Sequence, residues 1–245
     1  MTRTPSSVEI SGLGKRFGRR DVLRGVELSI APGRITAIVG PNAAGKTTLI
    51  KLILGLVQHR ESDGRILVDG VAVNGKPDYR ERIGYMPQLA HFPGQLTGRE
   101  VLALLKGLRA PRELPLDEEL LERFALDQAL DQPVRTLSGG TRQKLNAVVA
   151  FLFRPSLLIL DEPTAGLDPV AAGILKEKVL RAPGEGTTVL LTSHLMSEVE
   201  ELAQDLRFLL DGSIAFRGTI AALLAESGEP RLERAMARLL EAAGR

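Results

Sequence analysis

Apolar and polar residues alternate in Val8-Glu-Ile-Ser and again in Val26-Glu-Leu-Ser-Ile30, the period of strands that bury one face. Gly12 and Gly14 interrupt the first segment, and Pro32-Gly33 turns the chain after the second. Ile35-Thr-Ala-Ile-Val39 is a β-branched run that reads as a buried strand, and it leads straight into a glycine-rich loop. From Thr47 to Leu56 the period becomes helical, with Leu49, Leu52, Ile53 and Leu56 recurring and Gly55 near the end. Arg65–Val73 reads as a hairpin around Asp69-Gly70. Residues 97–150 read as helical: Thr97 caps Val101–Leu108, and Asp117 caps Glu118–Phe124. Leu157–Leu160 and Thr188–Leu191 are short apolar runs, the form of central parallel strands. Strands alternating with helices predict an α/β fold with a parallel sheet. No motif recurs, and no low-complexity linker divides the chain. Pro230–Ala243 places Leu232, Ala235, Met236, Leu239 and Leu240 on one helical face. That stripe suits packing on its own domain or on a twin subunit, or a regulatory contact.

Composition narrows the classes. With 245 residues and 44% apolar side chains the chain is able to build a large core, which excludes global disorder. Its net charge of +2 is too small to argue for nucleic acid. It has no cysteine, so disulfide frameworks, thiolate zinc sites and a Cys nucleophile are excluded. Met1–Ser7 is polar with no apolar stretch behind it, unlike a signal peptide. The longest apolar run, Ala147–Phe153, falls far short of the roughly 18 residues of a membrane span. If the protein works at a membrane, it does so from outside the bilayer.

The glycine-rich loop carries the chemistry. Gly40-Pro41-Asn42-Ala43-Ala44-Gly45-Lys46-Thr47 matches G-x-x-x-x-G-K-[ST]. Loop N–H groups must converge on phosphate oxygens, and that close backbone approach leaves little room for side chains. The following helix turns its positive end to the same anion. Lys46 then reaches the β- and γ-phosphates, and Thr47 is a Mg²⁺ ligand. Asp161 supports the site independently. It follows Leu157–Leu160, at the C-terminal end of a buried strand, where open α/β sheets bind ligands. A carboxylate there is able to hold Mg²⁺ through its water shell.

Together these residues resemble the ATP-binding cassette (ABC) ATPases. Five more segments carry the resemblance in the family's order. Tyr85-Met-Pro-Gln88 looks like the Q-loop, and Leu137-Ser-Gly-Gly-Thr141 resembles the LSGGQ signature. Leu157–Pro163 looks like Walker B with its adjoining glutamate, Ala165–Asp168 is similar to the D-loop, and Ser193-His194 looks like the H-loop. The signature is the most specific, because other P-loop families lack it. The resemblance implies a RecA-like P-loop NTPase core, an antiparallel β subdomain and an inserted α-helical signature subdomain. It covers essentially residues 8–225, and implies an ATPase domain over 1–225, a helical subdomain at about 89–155, and a helical tail over 226–245.

The resemblance also implies roles. Phe17 stacks on adenine, with an ordinary core aromatic as the alternative. Residues 40–48, through Thr48, hold ATP. Gln88 contacts Mg²⁺ and the attacking water, Glu162 is the catalytic base or water polariser, and His194 holds the γ-phosphate. Ser138, Gly139 and Gly140 contact the γ-phosphate of the opposite subunit. Gly139-Gly140, opening a helix, is physically a second anion site. A single chain cannot bring it onto its own P-loop, so the family pairs two cassettes head to tail over two ATP molecules. Glu162 beside Asp161 is costly unless a cation or proton shares the site. His59 and His91 match no motif and read as solvent-facing.

Three departures stand out. Ala43 replaces a mid-loop glycine, so the loop must tolerate a Cβ where φ > 0 is common. Thr141 replaces the usual Gln, and Phe17 lacks a tyrosine hydroxyl. No residue expected to do chemistry is missing. The resemblance therefore implies an ATP-hydrolysing motor of export type on the cytoplasmic face of the cell membrane, its partners a separate integral membrane permease and a second, identical cassette. No nucleic acid is expected. Leu89–Pro93 is apolar enough to form the permease groove, or Phe92 simply packs within the helical subdomain. A soluble ABC ATPase acting on DNA or ribosomes is the alternative, although such relatives usually carry two cassettes or a coiled coil. A P-loop kinase leaves the signature unexplained. Thr192–Ala203 and Gly212–Gly218 resemble export-type cassettes. Lys51–Leu56, Leu96–Glu100 and Leu137–Lys144 are similar to the NosF-type subunit of copper-site maturation.

Overall fold

Five buried residues in each of three short strands fix the centre of the molecule. They are β3 (Ile35–Val39), β7 (Leu157–Asp161) and β8 (Thr188–Thr192). The computed structural model describes residues 7–73, 77–109 and 115–242. The polar start read over Met1–Ser6 and the end of the tail from Ala243 lie outside them.

The other strands are β1 (Val8–Phe17), β2 (Arg20–Ile30), β4 (Arg65–Val68), β5 (Val71–Ala72), β6 (Ile83–Met86), β9 (Asp205–Leu210) and β10 (Ser213–Thr219). The helices are α1 (Lys46–Ile53), α2 (Gly98–Arg109), α3 (Glu119–Arg123), α4 (Gly139–Phe151), α5 (Pro169–Arg181), α6 (Met196–Leu202), α7 (Ile220–Ser227) and α8 (Leu232–Ala242). A six-stranded sheet runs β10-β9-β3-β8-β7-β6, and a four-stranded antiparallel sheet runs β2-β1-β4-β5. In the large sheet only the β9–β10 pair is antiparallel. The expected P-loop core, antiparallel β subdomain and helical insertion are the architecture found.

Both faces of the large sheet are covered, which is why its strands read as continuous apolar runs. Side chains alternate between the faces. Ile35, Ala37, Val39, Leu158, Leu160, Val189 and Leu191 join one core cluster, with the helical subdomain, α5, α6, α7 and α8. Ile38, Leu157, Ile159 and Leu190 join the other, with α1 and the antiparallel sheet. The two sheets are stitched where the Arg24 N–H donates to the Gly212 carbonyl and Arg207 donates to the Ser29 carbonyl.

Helices α2, α3 and α4 leave the sheet after β6 and return at β7. Helix α2 starts with a capping box: the Glu100 N–H donates to Thr97 Oγ1, and the Thr97 N–H donates to Glu100 Oε2. Helix α3 is shorter than its sequence pattern suggests, and Asp117 Oδ1 accepts the Glu119 N–H just ahead of it. Buried Lys178 on α5 fixes α3 to the core through Asp117 at 2.7 Å and Glu119 at 2.9 Å. Burial raises the Glu119 pKa, but hydrogen bonds from Lys178 and Arg181 outweigh it and bring it down to about 2.

The tail stripe packs on its own domain. Leu232 and Ala235 of α8 are fully buried, and α8 rests on α7 and α6. The Leu232 N–H donates to Glu200 of α6. The reading of His59 as solvent-facing is wrong. Its ring is buried, Nδ1 has no hydrogen-bond partner, and burial holds its pKa below the usual range despite nearby Asp63. His91 is exposed, as expected.

Candidate active site

Strand β3 ends at the loop 40–45, and α1 begins at Lys46 with Gly45 at its N-cap. Two glycines are sterically required. A Cβ on Gly40 would lie 2.1 Å from the Leu209 carbonyl oxygen. Gly45 has φ +109°, and a Cβ there would lie 2.8 Å from Leu23 Cδ2. Ala43 holds φ 62°, so the loop does adopt the left-handed turn with a Cβ in place. Gly40→Ala is expected to lower Tm and weaken ATP binding, since the clash is with backbone. Overpacking of about 1–3 kcal/mol corresponds to about 2–4 °C per kcal/mol, read by a thermal melt and a nucleotide titration. An unchanged Tm would contradict the close approach.

Lys46 Nζ donates to the Gly40 carbonyl at 2.6 Å and the Pro41 carbonyl at 3.1 Å, so its ammonium lies over the loop. Burial lowers its pKa, while Glu162 and Asp161 oppose that shift. Asn42, Ala43, Ala44, Gly45, Lys46, Thr47 and Thr48 line a cavity of about 370 Å³, closed opposite by Gln88, Asp161 and Glu162.

The acidic wall comes from the tip of β7. Asp161 is 7% exposed, and Thr192 Oγ1 on neighbouring β8 donates to its Oδ1 at 2.5 Å. Burial pushes the Asp161 pKa up, Thr192 pulls it down, and the Glu162 charge pushes it up again. The phenol of Tyr85 is pushed up to about 12, first by burial and then by Asp161. Glu162 sits at φ 51°, a strained conformation for a non-glycine residue. Its Oε2 accepts from Gln88 Nε2 at 2.8 Å, and its Oε1 is 3.2 Å from His194 Nδ1. The carboxylate thus lies between the β6 exit loop, which donates a hydrogen bond to it, and the β8 exit loop, which brings the His194 ring close to it.

Phe17 lies outside this cavity. It is 48% exposed, so it is not a core aromatic. It lines an adjoining cavity of about 760 Å³ with Arg19, Arg20, Asp21, Arg24 and Ala43. The two cavities share Arg20, Val22 and Ala43. The signature is not brought to the P-loop of its own chain: none of Ser138, Gly139 and Gly140 lines either cavity. Ser138 caps α4 by accepting the Thr141 N–H at 3.1 Å, which leaves the exposed helix start presenting its N–H groups. Lys144 pairs with Asp168 at 2.8 Å and ties the signature helix to the D-loop. Asn146 Nδ2 donates to the Pro87 carbonyl at 2.8 Å, holding α4 to the Q-loop.

Residues 23–165 match the ABC transporter family. The chain belongs to that family. It is an ABC cassette and an ATPase. The cassette is 37% identical over 93% of its length to daunorubicin resistance ATP-binding protein DrrA3 of Streptomyces coeruleorubidus, covering 73% of that protein. It is 34% identical over 84% of its length to lantibiotic transport ATP-binding protein SrtF of Streptococcus pyogenes, covering 88% of that protein. A solved ATP-binding subunit of an ABC transporter superposes with a TM-score of 0.88 at 30% identity, over 96% of this cassette and 100% of that chain.

Sequence reasoning missed the supporting residues of the cassette. Arg19 and Arg20 lie beside Phe17, and Thr192 holds Asp161. The signal for Thr192 was its register opposite Asp161 in the paired runs of β7 and β8.

Proposed function

We propose that this cassette is the ATP-driven motor of a membrane exporter, acting as a pair of identical copies beneath a separate permease. What carries the reading is one observation: Lys46, Thr47, Gln88, Asp161 and Glu162 line one cavity, while none of Ser138, Gly139 and Gly140 lines it. The relatives named for drug resistance and lantibiotic transport support a transport role, and one named as a Nod factor export ATP-binding protein supports the export direction. Among the described residues no helix is long and apolar enough to cross a membrane. The cassette then works at the inner face of the membrane.

Residues 40–48 and Lys46 hold the phosphates, and Phe17 takes the adenine at the neighbouring cavity. Thr47, Gln88 and Asp161 form an oxygen donor set suited to Mg²⁺. The buried Asp161 beside Glu162 supports that fit, because a cation offsets their mutual repulsion. Bound there, Mg²⁺ would draw charge from the phosphate oxygens. Glu162 accepts a proton from the attacking water, whose oxygen displaces ADP from the γ-phosphorus. Gln88 and His194 hold the Glu162 carboxylate in the position for that transfer. The Ser138–Gly140 helix start of the second copy supplies fixed dipoles to the same γ-phosphate. Closure of the two copies on ATP, and reopening after hydrolysis, drives the permease.

The segment Leu89–Pro93 forms the contact with the permease. Phe92 packs partly into the main core cluster, whereas Leu89 is 69% exposed beside Gln88. Leu89→Glu is therefore the cleaner test. It should abolish co-purification with the permease and leave ATP affinity and Tm unchanged, because a buried charge without a partner is strongly unfavourable. Unchanged assembly would show that this surface is not the permease contact.

A further inference from the structure

Glu198 on α6 is 3% exposed, yet it does no work in the reaction above. Both of its oxygens are met by hydroxyl groups rather than by a cation. Thr164 Oγ1 donates to Oε1 at 2.7 Å, and Ser193 Oγ donates to Oε2 at 2.5 Å. Among the described residues only hydroxyls hold this buried carboxylate, an expensive way to stabilise a fold. The places of its two donors give it another use. Thr164 follows Glu162 by two residues on the loop leaving β7. Ser193 immediately precedes His194 on the loop leaving β8.

We propose that Glu198 is a positioning residue that clamps the Glu162 loop to the His194 loop and so sets the geometry of the hydrolytic centre. The proposal rests on the reading of Glu162 and His194 given above. Glu198 touches neither of them. It acts through two short turns. On one side, Ser193 Oγ also accepts the Leu195 N–H at 3.1 Å, closing the turn that presents His194. The same hydroxyl sends its proton to Glu198, so the turn and the clamp share one atom. On the other side, the Ala165 N–H donates to the Glu162 carbonyl at 3.1 Å, and the Leu167 N–H donates to the Thr164 carbonyl at 3.1 Å. Thr164 therefore anchors the turn that begins at Glu162.

The strain at Glu162 gives the clamp its purpose. A left-handed backbone at a glutamate persists only where the surroundings over-determine it. One constraint is the Glu162 N–H donating to the Thr192 carbonyl at 3.0 Å. The Thr164–Glu198–Ser193 bridge is the second, on the far side of the turn. Releasing either arm lets the Glu162 carboxylate leave the line between Gln88 and His194. Displacements of about 1 Å at such a centre cost on the order of 100-fold in rate.

The test is steady-state hydrolysis and ATP binding for Glu198→Ala, Glu198→Gln, Thr164→Val and Ser193→Ala in the full chain. Val and Gln preserve volume, so they remain informative if the Ala variant at 198 fails to fold. The expected result is a split: kcat falls roughly 10- to 100-fold, while the ATP Kd, set by the P-loop, stays within about twofold. Glu198→Gln should lose less than Glu198→Ala, because the amide oxygen still accepts from one hydroxyl. Adding Ser193→Ala to Glu198→Ala should cost little more, because the shared arm is already lost. Native kcat in all four variants overturns the proposal, as does a parallel fall of kcat, ATP affinity and Tm. Glu162→Gln and His194→Ala are the controls. If both of those hydrolyse normally, the site reading itself fails. If they are inactive while the Glu198, Thr164 and Ser193 variants are normal, only the clamp fails.

Discussion

Glu162→Gln is expected to stop hydrolysis while leaving ATP bound. Glutamine keeps the shape of the side chain, and its amide oxygen still accepts the Gln88 Nε2 donor that now meets Oε2 at 2.8 Å. What it loses is the ability to take a proton from water, a contribution of about 10²–10⁴-fold in rate. The phosphate loop and Lys46 are untouched, so ATP affinity stays near native. With no product formed, the closed pair of cassettes has no route to reopening, and Mg·ATP should convert the variant from monomer to a lasting dimer. Light scattering with and without Mg·ATP reads this directly. A variant that stays monomeric at saturating Mg·ATP counts against the two-copy site. Hydrolysis at the native rate counts against Glu162 as the proton acceptor.

Lys46→Ala acts at the step before. The ammonium is half-buried, held by the Gly40 and Pro41 carbonyls, and faces Asp161 and Glu162 across the cavity. Its loss removes a charge-assisted hydrogen bond worth about 1.5–3 kcal/mol. That corresponds to roughly 10- to 150-fold weaker ATP binding. It also leaves two carboxylates facing incoming phosphate with no nearby ammonium, so the loss should lie at the upper end. A titration with a fluorescent ATP analogue reads it. Native affinity would place the nucleotide elsewhere. The two variants separate cleanly: one binds without turnover, the other fails to bind.

How far the sequence led differs from residue to residue. Local signals were plain where one feature decides the backbone. The runs of β3, β7 and β8 are apolar on both faces because both faces are covered. The P-loop glycines leave no choice, since Leu209 and Leu23 occupy the space a Cβ would need. The β9–β10 hairpin carries one plain local signal, Asp211-Gly212, whose φ values of 48° and 80° make the turn. Strand β6 has only four residues and shares Tyr85 and Met86 with the Q-loop motif, so it carries too short a period to stand out. Phe92 and Leu89 lie three residues apart and look alike in sequence, but only tertiary packing separates the half-buried one from the exposed one.

The site shows the same division. Phosphate loop, acidic strand tip and signature are contiguous motifs, so spacing reveals them. The contacts that orient them join distant segments: Gln88 to Glu162, Thr192 to Asp161, and Glu198 to both Thr164 and Ser193. The burial of Glu198 comes from tertiary packing of α6, which the charged pattern around it does not reveal. His59 is a similar case, since one histidine carries no period from which its burial is legible.

The transporter reading is tested most directly by what the cassette holds in its own cell. The chain would be tagged in its native host, membranes solubilised gently, and co-purifying proteins identified by mass spectrometry. A polytopic membrane protein at near-equal abundance is the expected result, lost in the Leu89→Glu variant. Recovery of the chain with ribosomes or DNA, and no membrane protein, would contradict it.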